Sequence, residues 1–100
     1  MALNTDLISR KVKANRDTLL GFGVKKLGLF GSYSRNQQKK TSDIDILVEF
    51  GRGKKNADNF LDLAIYLESI FKKKVDLLTP ESLTPTMKRR VLSEVKYFQL

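Results

Sequence analysis

The segment from Asp43 to Phe50 constrains the fold more than any other part of this sequence. Ile44, Ile46, Val48 and Phe50 alternate along it with Asp43, Asp45, Leu47 and Glu49. Successive residues of a β-strand point to opposite faces, so the alternation predicts a strand with one face in the core. Asp43 and Asp45 then share the other face, with Cβ atoms about 7 Å apart.

Periodicity and turn residues assign the remaining elements around this strand. The predicted elements are a helix over 5–20 capped by Thr5 or Asp6, a strand Val24–Phe30, a short helix and loop within 33–40, a helix over 57–72, a strand Lys74–Leu78, a helix from Pro85 to about Val95 capped by Thr84, and a short strand over 97–100. The pattern predicts one domain over residues 1–100, of the α/β (α+β) class. It has a small mixed sheet covered by helices on at least one face.

Carboxylates on two predicted strands indicate a metal site. Asp43 and Asp45 repel each other on one face, and Asp76 lies between two apolar residues of the third strand. If the two strands pair in register, three carboxylates meet, as in sites that use divalent ions for phosphoryl or nucleotidyl transfer. A lone Asp-x-Asp also occurs in turns and solvated strands, and Asp76 alone could be an edge-strand surface residue.

The dipeptide Gly31-Ser32 directly follows an apolar strand and precedes a predicted short helix. Glycine lets the backbone approach a phosphate closely or adopt a positive φ, and Ser32 offers a hydroxyl and an N–H. The start of the following helix would add further donors. These features outline a phosphate-binding turn, although Gly-Ser alone is more typical of a simple strand-to-helix turn.

Composition narrows the possible chemistry. The chain has no Cys and no His, which excludes a Cys nucleophile, a His general base, a thiolate zinc site and a disulfide framework. Its net charge of +8 attracts polyanions, although each small Lys/Arg cluster alone is typical of a solvated surface. No apolar run suits a membrane span or a signal peptide, so we expect a cytoplasmic protein.

The combination of motifs is far more specific than its parts. The segment GSYSRNQQKKTSDIDILVEF resembles the signature of the polymerase beta-like nucleotidyltransferase superfamily. In it, Gly31-Ser32 is followed, after ten residues, by Asp43-x-Asp45. The run from Ser42 to Phe50 resembles the minimal nucleotidyltransferases of bacteria and archaea. The family commonly reads Gly-Ser-x-Ala-Arg-Gly, whereas Ser34 and Asn36 stand here for Ala and the last Gly. Asparagine tolerates left-handed backbone better than most residues.

The resemblance implies roles for particular residues. Asp43 and Asp45 would bind Mg²⁺, two ions in all, and Asp76 would complete the metal site and help activate the attacking hydroxyl. Gly31 and Ser32 would hold the β- and γ-phosphates of ATP. Arg35 and Ser42 complete the predicted nucleotide-binding set.

The resemblance also implies a partner. Minimal nucleotidyltransferases commonly act as antitoxins that attach AMP to a tyrosine of a HEPN-type toxin. Two alternatives remain: a non-catalytic module that neutralises its partner by contact, and a basic nucleic-acid-binding domain. The second alternative is weakened because most aromatic residues fall at predicted core positions rather than beside basic residues. The basic helix Met87–Val95 is one candidate partner surface.

Overall fold

Four strands form one mixed sheet in the computed structural model, which describes residues 3–100. The first two residues of the predicted domain lie outside the described range. The elements are α1 (Thr5–Ala14), α2 (Arg16–Gly21), β1 (Val24–Phe30), β2 (Ile44–Phe50), α3 (Ala57–Phe71), β3 (Val75–Leu78), α4 (Pro85–Glu94) and β4 (Lys96–Tyr97), with 3₁₀ turns at Gly31–Tyr33 and Pro80–Ser82.

The strand order β3-β2-β1-β4 confirms the predicted mixed sheet. Strand β1 is antiparallel to both β2 and β4, whereas β2 and β3 are parallel and joined by the crossover helix α3. In the parallel pair, Asp45 stands directly opposite Asp76. The register on which the predicted carboxylate site depended is therefore present.

Helices cover both faces of the sheet. The main core joins one face to α1, α2 and α3, and its fully buried members include Ile8, Val12, Leu19, Leu27, Leu29, Ile44, Ile46, Val48, Leu63 and Leu67. On the other face, Phe30, Leu47 and Val91 form a smaller cluster beneath α4. Leu47 shares its face with the predicted carboxylates, so that face is charged at one end of β2 and buried further along.

The prediction of one helix over 5–20 is wrong, because the helix breaks at Asn15. The Asn15 side chain donates to Lys11 O at 2.7 Å and accepts from the Tyr66 hydroxyl at 2.7 Å. Asparagine side chains compete with the backbone in this way, and the bond to α3 holds the break in place. The cap prediction also fails, because Asn4 accepts from Leu7 N while Thr5 donates to Tyr33 O.

Removing the Tyr66 hydroxyl should show how much its hydrogen bond to Asn15 contributes to the free energy of unfolding. We expect Tyr66→Phe to lower the free energy of unfolding by about 1 kcal/mol, because it leaves the half-buried Asn15 oxygen without its partner. Chemical denaturation measures the change. Tyr97→Phe is the matched control: this ring is 44% exposed, and we expect a change of only a few tenths of a kcal/mol. Equal effects of the two substitutions would contradict a stabilising hydrogen bond between Tyr66 and Asn15.

Two shorter elements differ from prediction. The polar stretch 33–40 holds turns rather than a helix, and the 3₁₀ turn begins earlier, at Gly31. The last strand covers Lys96–Tyr97 instead of 97–100, and Tyr97 is exposed with the Lys26 ammonium 5.2 Å from its ring centroid. Within residues 3–100, no helix is long and apolar enough to cross a membrane.

Candidate functional site

The turn after β1 places backbone against a carboxylate. Gly31 has φ +73°, and a Cβ placed on it would overlap Oδ2 of Asp45 and lie 2.9 Å from its Cγ. The buried Ser34 donates from its hydroxyl to Gly31 O at 2.8 Å and so braces the turn. Asn36 adopts φ 56°, which confirms the left-handed backbone expected where the family has glycine. Glycine is thus required at 31 both by conformation and by space.

The three predicted acidic residues lie at one end of the parallel strand pair. Asp76 opposes Asp45, and Asp43 precedes Asp45 by two residues. Asp45 is partly buried, whereas Asp43 and Asp76 are exposed. Burial, followed by the charges of Asp76, Asp43 and Glu94, raises the pKa of Asp45 to about 6, and Arg35 opposes this shift. The neighbouring carboxylates are therefore close enough to disfavour ionisation of Asp45.

This arrangement fits a hard cation, although its ligands are not gathered in advance. Among the described residues, no three acidic side chains converge on one point as a ready-made metal site. Mg²⁺ commonly takes only one or two carboxylates and completes its shell with water and phosphate oxygens. All the donors here are oxygens, and a cation beside Asp45 would offset both the burial and the neighbouring charges that raise its pKa. Asp45 with Asp43 or Asp76 could supply the protein ligands.

A cleft of about 320 Å³ opens between the turn and α4. Its lining residues are Phe30, Gly31, Ser32, Arg35, Asp45, Met87, Arg90, Val91 and Glu94. It is not the largest hollow, since one of about 550 Å³ lies among Lys39, Lys40 and Lys73. We assign the site to the smaller cleft because it alone of the two contains the Gly31 turn and the half-buried Asp45.

The structure brings together some of the predicted site residues and not others. Gly31, Ser32, Arg35 and Asp45 line the cleft, whereas Asp43 and Asp76 lie outside its lining. Ser42 also lies outside, because its hydroxyl accepts from Lys39 N at 2.9 Å and closes the loop before β2. That hydrogen bond gives Ser42 a structural role. Its predicted contact with the nucleotide stays a prediction.

One wall of the cleft was missed by the sequence analysis. Met87, Arg90, Val91 and Glu94 project from a single face of α4. Their spacing of three and four residues is the signal that could have revealed them, since such residues share a helix face. The sequence pattern of this helix indicates only a basic partner surface. Its remaining exposed positions include Lys88, Arg89 and Leu92.

Comparison with known proteins identifies the family. Residues 8–98 match the model of the nucleotidyltransferase domain. The chain belongs to this family. An inferred protein adenylyltransferase of Methanocaldococcus jannaschii is 49% identical over 92 residues, which cover 92% of this chain and 95% of that protein. The protein adenylyltransferase MntA of Thermococcus cleftensis is 42% identical over 76 residues, covering 76% of each.

Solved structures agree with this assignment of the nucleotidyltransferase. A toxin–antitoxin crystal structure with AMP-PNP contains a chain that is 30% identical, with a TM-score of 0.69. The match covers 89% of this nucleotidyltransferase and 70% of that chain. The structural neighbours include minimal nucleotidyltransferases of the polymerase beta-like fold, which confirms the predicted fold class.

The raised pKa of Asp45 implies that this carboxylate destabilises the metal-free nucleotidyltransferase. Its folded pKa of about 6 exceeds the ordinary 3.8, so the destabilisation is full above pH 6 and absent below pH 3.8. We therefore expect Asp45→Asn to raise the free energy of unfolding at pH 7.5 by about 1 kcal/mol, a value reduced for solvent screening of a half-exposed group. The gain should shrink as pH falls from 6 to 4. Denaturation in EDTA across this range measures it, and a gain that is independent of pH would contradict the assignment.

Proposed function

We propose that this nucleotidyltransferase is a Mg²⁺-dependent protein adenylyltransferase that moves AMP from ATP to a hydroxyl of a HEPN-type toxin, with tyrosine as the acceptor residue. It would thereby act as the antitoxin of a toxin–antitoxin pair in the cytoplasm. The observation that carries the proposal is the half-buried Asp45, which packs directly against the Gly31 turn in the lining of the cleft and stands opposite Asp76 in the sheet. That pairing suits a reaction in which a polyphosphate must be held beside carboxylates.

Gly31, Ser32, Asp45 and Asp76 each have a role in the proposed mechanism. The missing side chain of Gly31 lets the Asp45 carboxylate pack against the turn, and Ser32, which also lines the cleft, offers hydrogen bonds to a phosphate. Bound Mg²⁺ would neutralise phosphate charge and lower the barrier to attack at the α-phosphorus. The acceptor oxygen forms a bond to that phosphorus while the bond from the phosphorus to the bridging α–β oxygen breaks. Pyrophosphate leaves, and the acceptor proton passes through Asp76 to solvent.

The exposed position of Asp76 suits contact with a protein acceptor. It lies on β3, an edge strand of the sheet, so a tyrosine from a partner can reach it without entering a deep pocket. The name of the relative from Thermococcus cleftensis states protein adenylylation, and the matched AMP-PNP complex is a toxin–antitoxin pair. These relatives support a protein acceptor over a nucleic acid.

Radiolabelled ATP tests the proposal directly. The protein is incubated with Mg²⁺ and a HEPN-type toxin, using ATP labelled at either the α- or the γ-phosphate. We expect α-label, and no γ-label, on a tyrosine of the partner. The double variant Asp43→Asn/Asp45→Asn and an EDTA control should both abolish labelling.

The same experiment separates catalysis from neutralisation by contact. If the double variant still silences the toxin as well as the wild type does, and the wild type transfers no label, then the protein acts by binding alone. Loss of both labelling and silencing in a variant that still binds the toxin would support the catalytic route.

A further inference from the structure

Two arginines from separate elements meet on one carboxylate at the mouth of the cleft. Arg35 follows the Gly31 turn and Arg90 lies on α4, yet both pair with Glu94 at the end of that helix. Arg90 Nε lies 3.6 Å from Glu94 Oε1, and Arg35 Nη1 contacts Glu94 Oε2. The Glu94 side chain is only 13% exposed, whereas that of Arg90 is 74% exposed. The acidic partner is thus largely buried, Arg35 is partly exposed, and Arg90 faces open space.

The charge of this group favours an anion. Two guanidinium groups against one carboxylate leave one positive charge in excess within this group, and the charge of Asp45, which also lines the cleft, would be offset by the cation proposed beside it. Each guanidinium has five N–H donors, and a single glutamate cannot satisfy both sets. Donors in that planar arrangement suit phosphate oxygens, which they bind in pairs.

Glu94 also has a consequence for Asp45. Arg35 and Asp45 line the same cleft and carry opposite charges, so the two groups attract each other. Without Glu94, the Arg35 guanidinium would be free to pair with Asp45 and occupy the place of a cation. The salt bridge to Glu94 therefore keeps Arg35 beside the cleft and away from the carboxylate on its floor.

We propose that Arg90 is a second triphosphate-binding residue of the cleft and that Glu94 is the positioning residue that holds Arg90 and Arg35 ready for it. This inference rests on the proposed function, because it takes a nucleoside triphosphate as the ligand. The phosphates bind between the Gly31 turn on one side and the two guanidinium groups on the other. As a merely structural pair, the exposed Arg90 and the largely buried Glu94 would form an i,i+4 salt bridge of small effect.

Substitution of neighbouring arginines tests the role of Arg90. We expect Arg90→Ala to weaken binding of AMP-PNP with Mg²⁺ at least tenfold, measured by calorimetry, and to leave adenosine binding, measured by competition, unchanged. Arg89→Ala is the matched control, since it removes the same charge from α4 outside the cleft lining, and we expect less than a twofold effect. Equal effects of the two variants would overturn the inference. So would an equal loss for adenosine, because that pattern indicates structural damage.

Glu94→Gln tests the positioning role. We expect threefold to tenfold weaker AMP-PNP binding with adenosine binding unchanged, and Glu94→Asp should restore part of the loss. Unchanged or tighter AMP-PNP binding would overturn the role assigned to Glu94. The failure of the proposed function is distinguishable: the wild type would then transfer no AMP to the toxin, while Arg90-dependent nucleotide binding would still be measured.

Discussion

Asp45→Asn is expected to reduce AMP transfer by about a thousandfold or more while leaving the protein folded. The substitution removes the charge that would hold a cation beside the Gly31 turn, and groups that stabilise charge in a transition state contribute about 10²–10³ each in comparable cases. Loss of a metal ion would add to that effect. Steady-state transfer from α-labelled ATP to the partner measures the rate.

Glu49→Gln is the matched control for this substitution. Glu49 lies on the same strand and the same face, four residues beyond Asp45, and outside the lining of the cleft. It should change the rate less than threefold. Asp45→Asn should therefore produce a protein that is inactive and yet more stable than the wild type near neutral pH. Retained activity in the Asp45→Asn variant would contradict the proposed metal site.

Gly31→Ala is expected to reduce transfer at least a hundredfold while lowering the free energy of unfolding by only about 1–2 kcal/mol. The added methyl group would overlap the Asp45 carboxylate. That carboxylate is the end of a side chain that can rotate, so the collision is relieved at small cost to stability. The rotation, however, carries Asp45 away from the position that the reaction requires. Denaturation measures the expected loss of stability, and the AMP-transfer assay measures the expected loss of activity.

Gly53→Ala isolates the cost of backbone conformation. Gly53 has φ +74°, close to that of Gly31, but a Cβ there would meet nothing within 4 Å. The two alanine variants should therefore lose similar stability, and only Gly31→Ala should lose activity. If both variants remain fully active, the close approach of Gly31 to Asp45 has no role in the reaction.

The sequence was most informative where local pattern and tertiary environment agree. The alternation along β2 predicted a strand with two buried isoleucines and a charged end, and the structure confirms it. The positive φ of Gly31 and the left-handed Asn36 were also predictable, because few residues tolerate that backbone. The opposition of Asp45 and Asp76 could be stated only as a condition, since register across a crossover helix depends on packing.

Other features were hidden because they depend on contacts distant in sequence. The Asn15 side chain at the helix break accepts a hydrogen bond from the Tyr66 hydroxyl of α3, which no local pattern reveals. The wall formed by Arg90 and Glu94 belongs to a helix whose basic residues suggested a solvated or partner-binding surface. The second role of this helix, as a wall of the cleft, depends on the sheet, which places α4 opposite the Gly31 turn.

The small apolar cluster beneath α4 has a consequence for how the cleft opens. Val91 is the one buried residue that α4 contributes in the described chain, and it packs on Phe30 and Leu47 away from the main core. Elements held by few buried contacts unfold locally at a lower free energy than the rest of a domain. Separation of α4 from the sheet would remove one wall of the cleft while the Gly31 turn and the strand pair stay intact. Exchange of bound ligand can therefore proceed by partial unfolding of a single helix, without any motion of Asp43, Asp45 or Asp76.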